Sequence, residues 1–532
     1  MKEKNIQELA KRMGLVTVED MCQYTITQLV VKIANKVNEL VDEVWRFETD
    51  VQEILKTQNE NIQYLLGEGL HLEVENIFDG WVQDGTFDTL LNQSALKKVN
   101  DRIDETNAQL SNINSQILFF DEIKNDDNTF IENLNIAVSL LKTKKCYRSI
   151  VFESEEFLSD HITLSDLMNI DFVFLKNVES ESCKRKHILF SNCENLKIRG
   201  ASFKNVSLEF TDVNFLEISG VSLSIDGDME TDISGICFYD NCNDIKIERC
   251  SFSTPNGIKG YVPHDSTKQG KNVEITNCLF ETTRMGIENF NCFNNVKVEK
   301  CCFKNSLGFS ALSFVGDSIK DVYISENTFL DTADITGTNI YLELTVENVR
   351  VYSNLFHDIN SFSCISSHTS GSVFFYDNKV ENCKCTKPMF RKSGKEFYIH
   401  NNKFIINDNI TLLGSPAGGT FSENSIFSFK NNTIDFNVKC DTFLTLSGNT
   451  EFAFNTISYN GTEKRPLVRL GGKIKSFHGN FVSGNFTYVI QSSDENTECL
   501  FSNNIFDNFQ KWTWDGVIPN GIREYGNVII EP

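Results

Sequence analysis

Short segments of alternating apolar and polar residues recur from about residue 196 to residue 506. Thirteen copies align on a final bulky apolar residue, namely Phe203, Leu223, Phe252, Phe280, Phe303, Phe329, Phe356, Val380, Phe404, Ile434, Ile457, Val482 and Phe506. Their mean spacing is about 25 residues, within the range that is typical of solenoids. Because the alternation has a period of two and β-branched and aromatic residues are enriched, each copy is predicted to contain a strand.

The residue two positions before each bulky apolar residue supports this alignment. It changes from Ala201 and Val221 through Cys250, Cys278 and Cys301 to asparagine in the eight later copies, namely Asn327, Asn354, Asn378, Asn402, Asn432, Asn455, Asn480 and Asn504. Stacked strands lie about 4.8 Å apart, so identical amide side chains would align and hydrogen-bond along the stack. The sequence therefore predicts an all-β, right-handed parallel β-helix over residues 196–508.

The N-terminal region has a different pattern. Apolar residues in 26–54 alternate steps of four and three, with Val30, Val37, Val44 and Val51 at heptad position a and Ile33, Leu40, Phe47 and Ile54 at position d. A second seam occupies residues 96–120 after a glycine-rich break. This pattern favours an α-helical coiled-coil stalk, and its β-branched residues favour a trimer. A single amphipathic helix packed within a globular domain is the alternative.

The acidic composition narrows the choice of partners. The 532-residue chain carries a formal net charge of −23, which argues against nucleic acid, because that ligand requires Lys and Arg patches. We find neither a signal-peptide pattern nor an apolar run of about 18 residues. We therefore expect no membrane insertion, folding in a cytoplasm, and mostly reduced, buried thiols among the sixteen cysteines. No spacing fits a zinc site, and neither a metal nor another cofactor is predicted.

One string points to a family. Residues 77–92 read IFDGWVQDGTFDTLLN, and this string resembles the N-terminal region of pre-neck appendage and fibre proteins of podophages that infect Gram-positive bacteria. The coiled-coil and β-helix order likewise resembles a phage tailspike. The resemblance implies attachment to the virion tail or neck through the N-terminal part. It also implies binding of cell-wall glycopolymer, such as teichoic acid, by the β-helix, and in some members cleavage of that polymer.

With this resemblance the chain divides into five predicted regions. They are a virion-attachment helix (1–22), an interrupted coiled-coil stalk for trimerisation and attachment (23–128), a transition and N-terminal cap (129–195), the β-helix (196–508) and a C-terminal cap (509–532). The expected assembly is a homotrimer in a virion appendage, put together in the host cytoplasm. A purely structural tail or connector protein without glycan activity is the alternative, and a free cellular lyase is a third class.

Two columns of carboxylates are candidates for acid–base catalysis of glycan cleavage, which needs a pair of carboxyl groups. Asp331 and Asp358 follow consecutive bulky residues and would lie on neighbouring rungs, with His357 beside them as a candidate substrate-binding residue. Asn and Asp are also common turn residues, so a structural role for this column remains open.

The second column comes from the next strand of each rung. Aligning Ile287, Leu312, Leu342 and Ile365 inward places Glu288, Ser313, Glu343, Ser366 and Arg391 outward. Glu288 and Glu343 would then be catalytic candidates about two rungs apart, and Arg391 would bind an anionic sugar or phosphate. A solvated sheet face is the alternative. The long insertion at 254–270 adds Tyr261 and His264 as candidate substrate-binding residues, because loops on rigid scaffolds often bind ligands.

Overall fold

The computed structural model describes residues 116–532, except 145, 182–185, 227–232, 264–267, 305–308, 331–336, 386–388, 393–395, 409–412, 415–425, 438–443, 448, 472–473, 494–496, 514–517 and 519. These residues form a parallel β-solenoid: all strand pairs between its 45 strands run parallel. The predicted β-helix is therefore confirmed. The predicted attachment helix and the first 93 residues of the predicted stalk (1–115 in all) lie outside the described residues.

Each full rung crosses three sheet faces in turn. The first face carries the apolar run that precedes each predicted turn. Its strands are Ile117–Phe119, Ser149–Phe152, Met168–Phe174, Asn243–Glu248, Gly270–Thr276, Phe293–Glu299, Ser372–Tyr376, Glu396–His400, Ile426–Lys430, Asn449–Ala453, Ser476–His478, Cys499–Ser502 and Ile522–Tyr525. Their inward residues, such as Val273 and Ile275, are buried in one continuous core.

The second face contains the bulky residues of the sequence repeat. Its 16 strands are Glu156–Phe157, Val178–Glu179, Ser202–Lys204, Ser222–Ser224, Ser251–Ser253, Leu279–Glu281, Cys302–Lys304, Thr328–Leu330, Leu355–His357, Lys379–Glu381, Lys403–Ile406, Thr433–Phe436, Thr456–Tyr459, Phe481–Gly484, Ile505–Asp507 and Val528–Ile530. The rings of Phe252 and Phe280 stack at 4.7 Å, and Phe303 and Phe329 continue the stack. Burial of these rings stabilises the solenoid over its whole length.

The third face bears a groove that is described below, and we call it the groove face. Its strands are Ile162–Ser165, Ser234–Phe238, Asn256–Tyr261, Met285–Phe290, Ser363–Thr369, Phe390–Lys392 and Leu413–Gly414. Four long strands, Lys186–Gly200, Val206–Ser219, Ser310–Ser325 and Thr338–Tyr352, continue from this face into the first face. Further along the chain lie a three-stranded sheet (Leu444–Ser447, Val468–Gly471, Ile490–Ser493) and a two-stranded sheet (Asn360–Ser361, Lys384–Cys385).

The predicted asparagine column is a buried ladder at the corner between the first and second faces. In each step the side-chain oxygen of one asparagine accepts hydrogen bonds from the backbone and side-chain N–H groups of the asparagine before it, as in the 2.9 Å bonds from Asn354 to Asn378. The ladder runs from Asn327 to Asn504 as predicted and continues to Asn527. The residue before each ladder position has a positive φ, for example 58° at Asn401. The ladder therefore satisfies the polar groups of a tight corner that repeats on every rung.

Helices Phe120–Ile123 and Phe130–Thr143 pack at the N-terminal end of the solenoid. The longer helix begins with a capping box between Thr129 and Glu132, which satisfies the first backbone N–H groups. The ring of Phe120 lies 4.7 Å from that of Phe152, and its side chain is completely buried. The helices therefore cover the open end of the strand stack, which removes an exposed sheet edge.

Strand pairing extends beyond the predicted solenoid limits of 196 and 508. Ile117–Phe119 pairs with Ser149–Phe152, and Ile505–Asp507 pairs with Val528–Ile530. Residues 117–123, predicted as the end of the stalk seam, therefore belong to the solenoid unit. The period-based alignment missed the first rungs because the bulky-residue repeat is weaker there.

The cysteines of the described part are mostly thiols. Twelve of them are free, and ten of these are buried; Cys302 is disulfide-bonded. Burial raises the pKa of Cys242 and Cys499 to about 12. None of the helices in the described segments is long and apolar enough to cross a membrane.

Candidate glycan-binding groove

A groove of about 470 Å³ opens on the outer side of the groove face. It is lined by Met285, Glu288, Phe290, Phe309, Ser310, Ser313, Val315, Thr338, Tyr341, Glu343, Phe362, Ser366 and Arg391. Glu288, Ser313, Tyr341, Ser366 and Arg391 occupy one register column along its floor. This column crosses four strand spacings, so the floor is about 19 Å long.

The register corrects the predicted outward column at one position. Leu312 pairs with Ile340 rather than with Leu342, so Tyr341, not Glu343, occupies the column of Glu288 and Arg391. Ile340 and Leu342 are both completely buried. Because side chains alternate with a period of two, a two-residue shift keeps the apolar pattern intact, and this pattern cannot distinguish the two registers.

The shift changes the separation of the two candidate catalytic carboxylates. Glu343 lies two rungs from Glu288 and two residues further along the strand, which places their Cα atoms roughly 12 Å apart. Inverting glycosidases hold their carboxyl groups about 6.5–9.5 Å apart. Glu288 Oε2 lies 3.4 Å from Nζ of Lys259. Lys259 is on the neighbouring rung that is farther from Glu343. The two glutamates are therefore further apart than two residues of one column on rungs two apart would be, and their catalytic roles remain predictions.

The two glutamates of the groove, Glu288 and Glu343, have different polar contacts. The carboxylate oxygen Glu288 Oε2 is shielded from solvent and makes no hydrogen bond, although it lies within ion-pair distance of Lys259. Tyr341 Oη donates a 2.9 Å hydrogen bond to Glu343 Oε2. Burial and this hydrogen bond raise the pKa of Tyr341 to about 12. Tyr341 therefore remains a protonated donor at neutral pH and holds Glu343 beside the floor.

Arg391 closes the other end of the floor. Its side chain is 9% exposed, and its guanidinium carbon lies 4.4 Å from the ring centre of Phe362. Burial lowers the pKa of Arg391. Its Nε–H is buried without a hydrogen-bond partner. The nearby His368, whose pKa is lowered by burial and then by Arg391, accepts or donates a 3.0 Å hydrogen bond with Ser366 Oγ.

Aromatic side chains edge the groove on both sides of the floor. Phe309 and Phe362 precede the floor strands, and the guanidinium of Arg284 lies 5.1 Å from the ring centre of Phe309. Phe290 lies on the opposite side and stacks on Tyr261 at 5.1 Å. Tyr261, a predicted binding residue, therefore extends the groove by one rung without lining its centre.

The other predicted site residues lie elsewhere. His357 Nδ1 contacts Asp358 at 2.8 Å, and His357 Nε2 lies 3.5 Å from Glu381. None of these three residues lines the groove. Asp358 has a φ of 51°, and Asn382 in the same column has a φ of 54°, so the turn role explains this column. Asp331 and His264 lie outside the described residues.

The sequence prediction missed Tyr341, Phe309 and Phe362. A usable signal was present: a small polar residue stands two places before the inward Leu312, Ile340 and Ile365. This repeated triplet fixes the register that the apolar pattern leaves open. In the described part of the chain, no group of three or more His, Cys, Asp or Glu side chains is arranged to hold a metal ion.

The chain was compared with protein families, curated sequences and solved structures. No protein-family model and no curated protein sequence matches it. The tailspike of E. coli bacteriophage HK620, solved with a pentasaccharide, is similar in structure, with 11% identity, coverage of 79% of each chain and a TM-score of 0.43. The Streptococcus pneumoniae surface adhesin PfbA covers 74% of this chain and 92% of its own, with 12% identity and a TM-score of 0.34.

A third neighbour is an enzyme. The Azotobacter vinelandii mannuronan C-5 epimerase AlgE6 A-module covers 78% of this chain and 100% of its own, with 11% identity and a TM-score of 0.32. The structural neighbours thus include phage tailspikes, an adhesin and a polysaccharide epimerase. At these identities the likeness is one of fold, and the function has to be argued from the groove.

Proposed function

We propose that this protein is a phage virion appendage that adsorbs to a polysaccharide or teichoic acid on the surface of its host through the groove. The observation that carries this proposal is the composition of the groove: an open floor of polar side chains, flanked by phenylalanine rings and ended by a buried cation. Sugars combine hydroxyl groups with apolar ring faces, so a site of this composition suits them. A floor that crosses several rungs suits a polymer rather than a small metabolite.

Other parts of the proposal depend on the sequence outside the described residues. We infer that residues 1–22 attach the protein to tail or neck proteins and that the heptads within 23–115 form a homotrimeric stalk. A light-scattering mass of the full-length chain tests the stalk. Three times the chain mass of 60.6 kDa is expected, and a monomer would contradict it.

The binding proposal is tested with purified cell walls from a panel of Gram-positive bacteria. Wild-type protein is expected to co-sediment with at least one wall preparation, and the double variant Tyr341→Ala/Arg391→Ala is expected to lose most of this binding. Arg350→Ala is the matched control, because Arg350 is an exposed arginine on the first face, over the ring of Tyr323. Equal binding by the wild type and the groove variant would exclude the groove as the site. A protein that binds no wall favours the alternative of a structural tail component.

Cleavage of the bound polymer is a second candidate function, since Glu288 and Glu343 both line the groove. It predicts that soluble fragments are released from walls that bind the protein, and that Glu288→Gln or Glu343→Gln abolishes release while retaining binding. Release that persists in both variants would remove these residues as catalysts. Binding without release in the wild type would leave an adsorption protein.

A further inference from the structure

Arg391 is an uncompensated cation. It is more than nine-tenths buried, and its Nε–H has no hydrogen-bond partner. Among the residues that the structure describes, no carboxylate lies within ion-pair distance of its guanidinium, and its recorded contact is the ring of Phe362. A buried charge without a counter-charge is destabilising. An anion that enters the groove would remove this cost.

The remaining charges of the groove oppose a second anion. Glu288 stands four rungs from Arg391 and faces Lys259, so this end already holds an ion pair. Glu343 lies two rungs from Arg391 and adds a negative charge at the middle of the groove, held there by Tyr341. The chain as a whole carries a net charge of −23, which repels dense polyanions at long range.

We propose that the groove is specific for an acidic heteropolysaccharide of low charge density, whose single anionic group per repeat binds Arg391 while uncharged sugar rings cover the floor from Tyr341 to Glu288. This inference rests on the proposed glycan-binding function and names its substrate class. A polymer with an anion on every unit, such as a polyuronate or a poly(glycerol phosphate), would place further charges beside Glu343 and Glu288 and is disfavoured.

Arginine suits this position better than lysine. Its planar guanidinium stacks on Phe362 with one face and keeps its N–H edge directed at a carboxylate or phosphate in a two-bond arrangement. A lysine at this position would keep the charge and lose both the stacking and the second hydrogen bond. Arg391→Lys is therefore a specificity variant rather than a conservative one.

The test uses the full-length protein on an array of bacterial surface polysaccharides, sorted into neutral, sparsely anionic and densely anionic polymers. We expect binding in the sparsely anionic class, which includes both uronate-bearing and phosphodiester-bearing repeats, so that the polymers bound identify the anion. Arg391→Gln should weaken this binding about 10- to 100-fold, the range for hydrogen bonds to a charged group. The affinity of Arg391→Lys should lie between those of the wild type and Arg391→Gln. Arg350→Gln should bind as tightly as the wild type does.

Two further measurements make each outcome decisive. Chemical reduction of the carboxyl groups of a bound uronate polymer should weaken wild-type binding to about the level of Arg391→Gln and leave the binding of Arg391→Gln unchanged. Thermal unfolding of each variant separates a lost contact from a misfolded protein, and Arg391→Lys replaces Arg391→Gln if the latter does not fold. Binding only to neutral or densely charged polymers, or full binding by Arg391→Gln, would overturn the inference but keep the glycan-binding function. No binding to any polymer would overturn both.

Discussion

The asparagine ladder and the groove floor are both single columns of outward or corner residues that follow the solenoid, yet they differ in one respect. In the ladder the same residue recurs, and each amide is fully paired with the next, as between Asn378 and Asn402. In the floor only serine occurs twice, at Ser313 and Ser366. Among the described residues, no carboxylate lies within ion-pair distance of Arg391, and its Nε–H has no hydrogen-bond partner. In a solenoid, repetition of a residue type therefore indicates a structural column, and an interruption in a polar column indicates a site.

The cysteines that precede the asparagines in the same column support this distinction between structural columns and sites. Cys301 and Cys278 occupy the same corner as the asparagines. Their thiols contact backbone carbonyl oxygens, at 3.3 Å from Cys301 to Glu299 and 3.2 Å from Cys278 to Thr276, and do not form an amide chain. Burial is the main cause that raises the pKa of Cys278 well above its ordinary value. These thiols fill space as small apolar groups. The corner therefore tolerates either an apolar residue or a complete amide chain.

Breaking the amide chain at its centre should have the largest effect. Asn402→Leu removes side-chain hydrogen bonds of 3.0 Å to Phe375 O and 2.9 Å to Asn432 Oδ1. It also leaves the buried backbone N–H of Asn378 without its acceptor. Each buried unpaired group costs about 1–3 kcal/mol, so we expect a loss of about 3 kcal/mol or more. Urea unfolding followed by circular dichroism measures it.

The solvent-exposed ladder offers the matched control. Asn437 donates a 2.8 Å hydrogen bond to Asn407 on the preceding rung, the reverse of the direction in the buried ladder, and its side chain is exposed. Asn437→Ala should therefore change the unfolding free energy by about 0.5 kcal/mol or less. Equal losses in the buried and exposed variants would show that stacking, rather than pairing of buried groups, makes the ladder stabilising.

The repeated column was predictable from the sequence, whereas the floor was only partly so. A fixed period and a recurring amide specify the register from Asn327 to Asn504 without any tertiary information. Glu288 and Arg391 were placed correctly because each follows an unambiguous inward residue, Ile287 or Phe390. Glu343 was predicted at the column position that Tyr341 occupies, two residues away, since the apolar pattern repeats every two residues.

Neither the limits of the solenoid nor the ion pairs of its charged residues could be predicted from the sequence pattern. The first rungs, such as Ser149–Phe152, lack the amide column, and only strand pairing shows that they belong to the stack. The sequence contains acidic residues at many spacings, so nothing in it shows that Glu288 faces Lys259. Nor does it show that Arg391 lacks a carboxylate neighbour within the described part of the chain. Such facts depend on the distances between rungs.

Removing one hydroxyl from the floor should have a smaller effect. Tyr341→Phe loses the hydroxyl that holds Glu343 and that is available to accept a hydrogen bond from a glycan hydroxyl. One such bond to the glycan is worth about 1 kcal/mol, or roughly fivefold in affinity. Sedimentation with the wall preparation that binds wild-type protein measures the change. Tyr323→Phe on the first face is the control, since its ring stays under Arg350. An unchanged affinity for Tyr341→Phe would mean that the floor hydroxyl does not contribute to binding.

The smallest expected effect is a modest loss of folding stability at acidic pH. It is attributed to half-buried histidines, His368 on the groove face and His400 on the first face. Burial lowers the pKa of His400 and His368 below the usual value of 6.5. The unfolded chain therefore binds protons at a higher pH than the folded chain, and stability falls as the pH decreases through about 6.5. Urea midpoints at pH 7.5 and 5.5 should differ less in His400→Gln than in the wild type, while exposed His161→Gln should behave as the wild type. A larger pH dependence in His400→Gln would mean that Lys430 and Glu451, the charged neighbours of His400, govern the titration of this region instead.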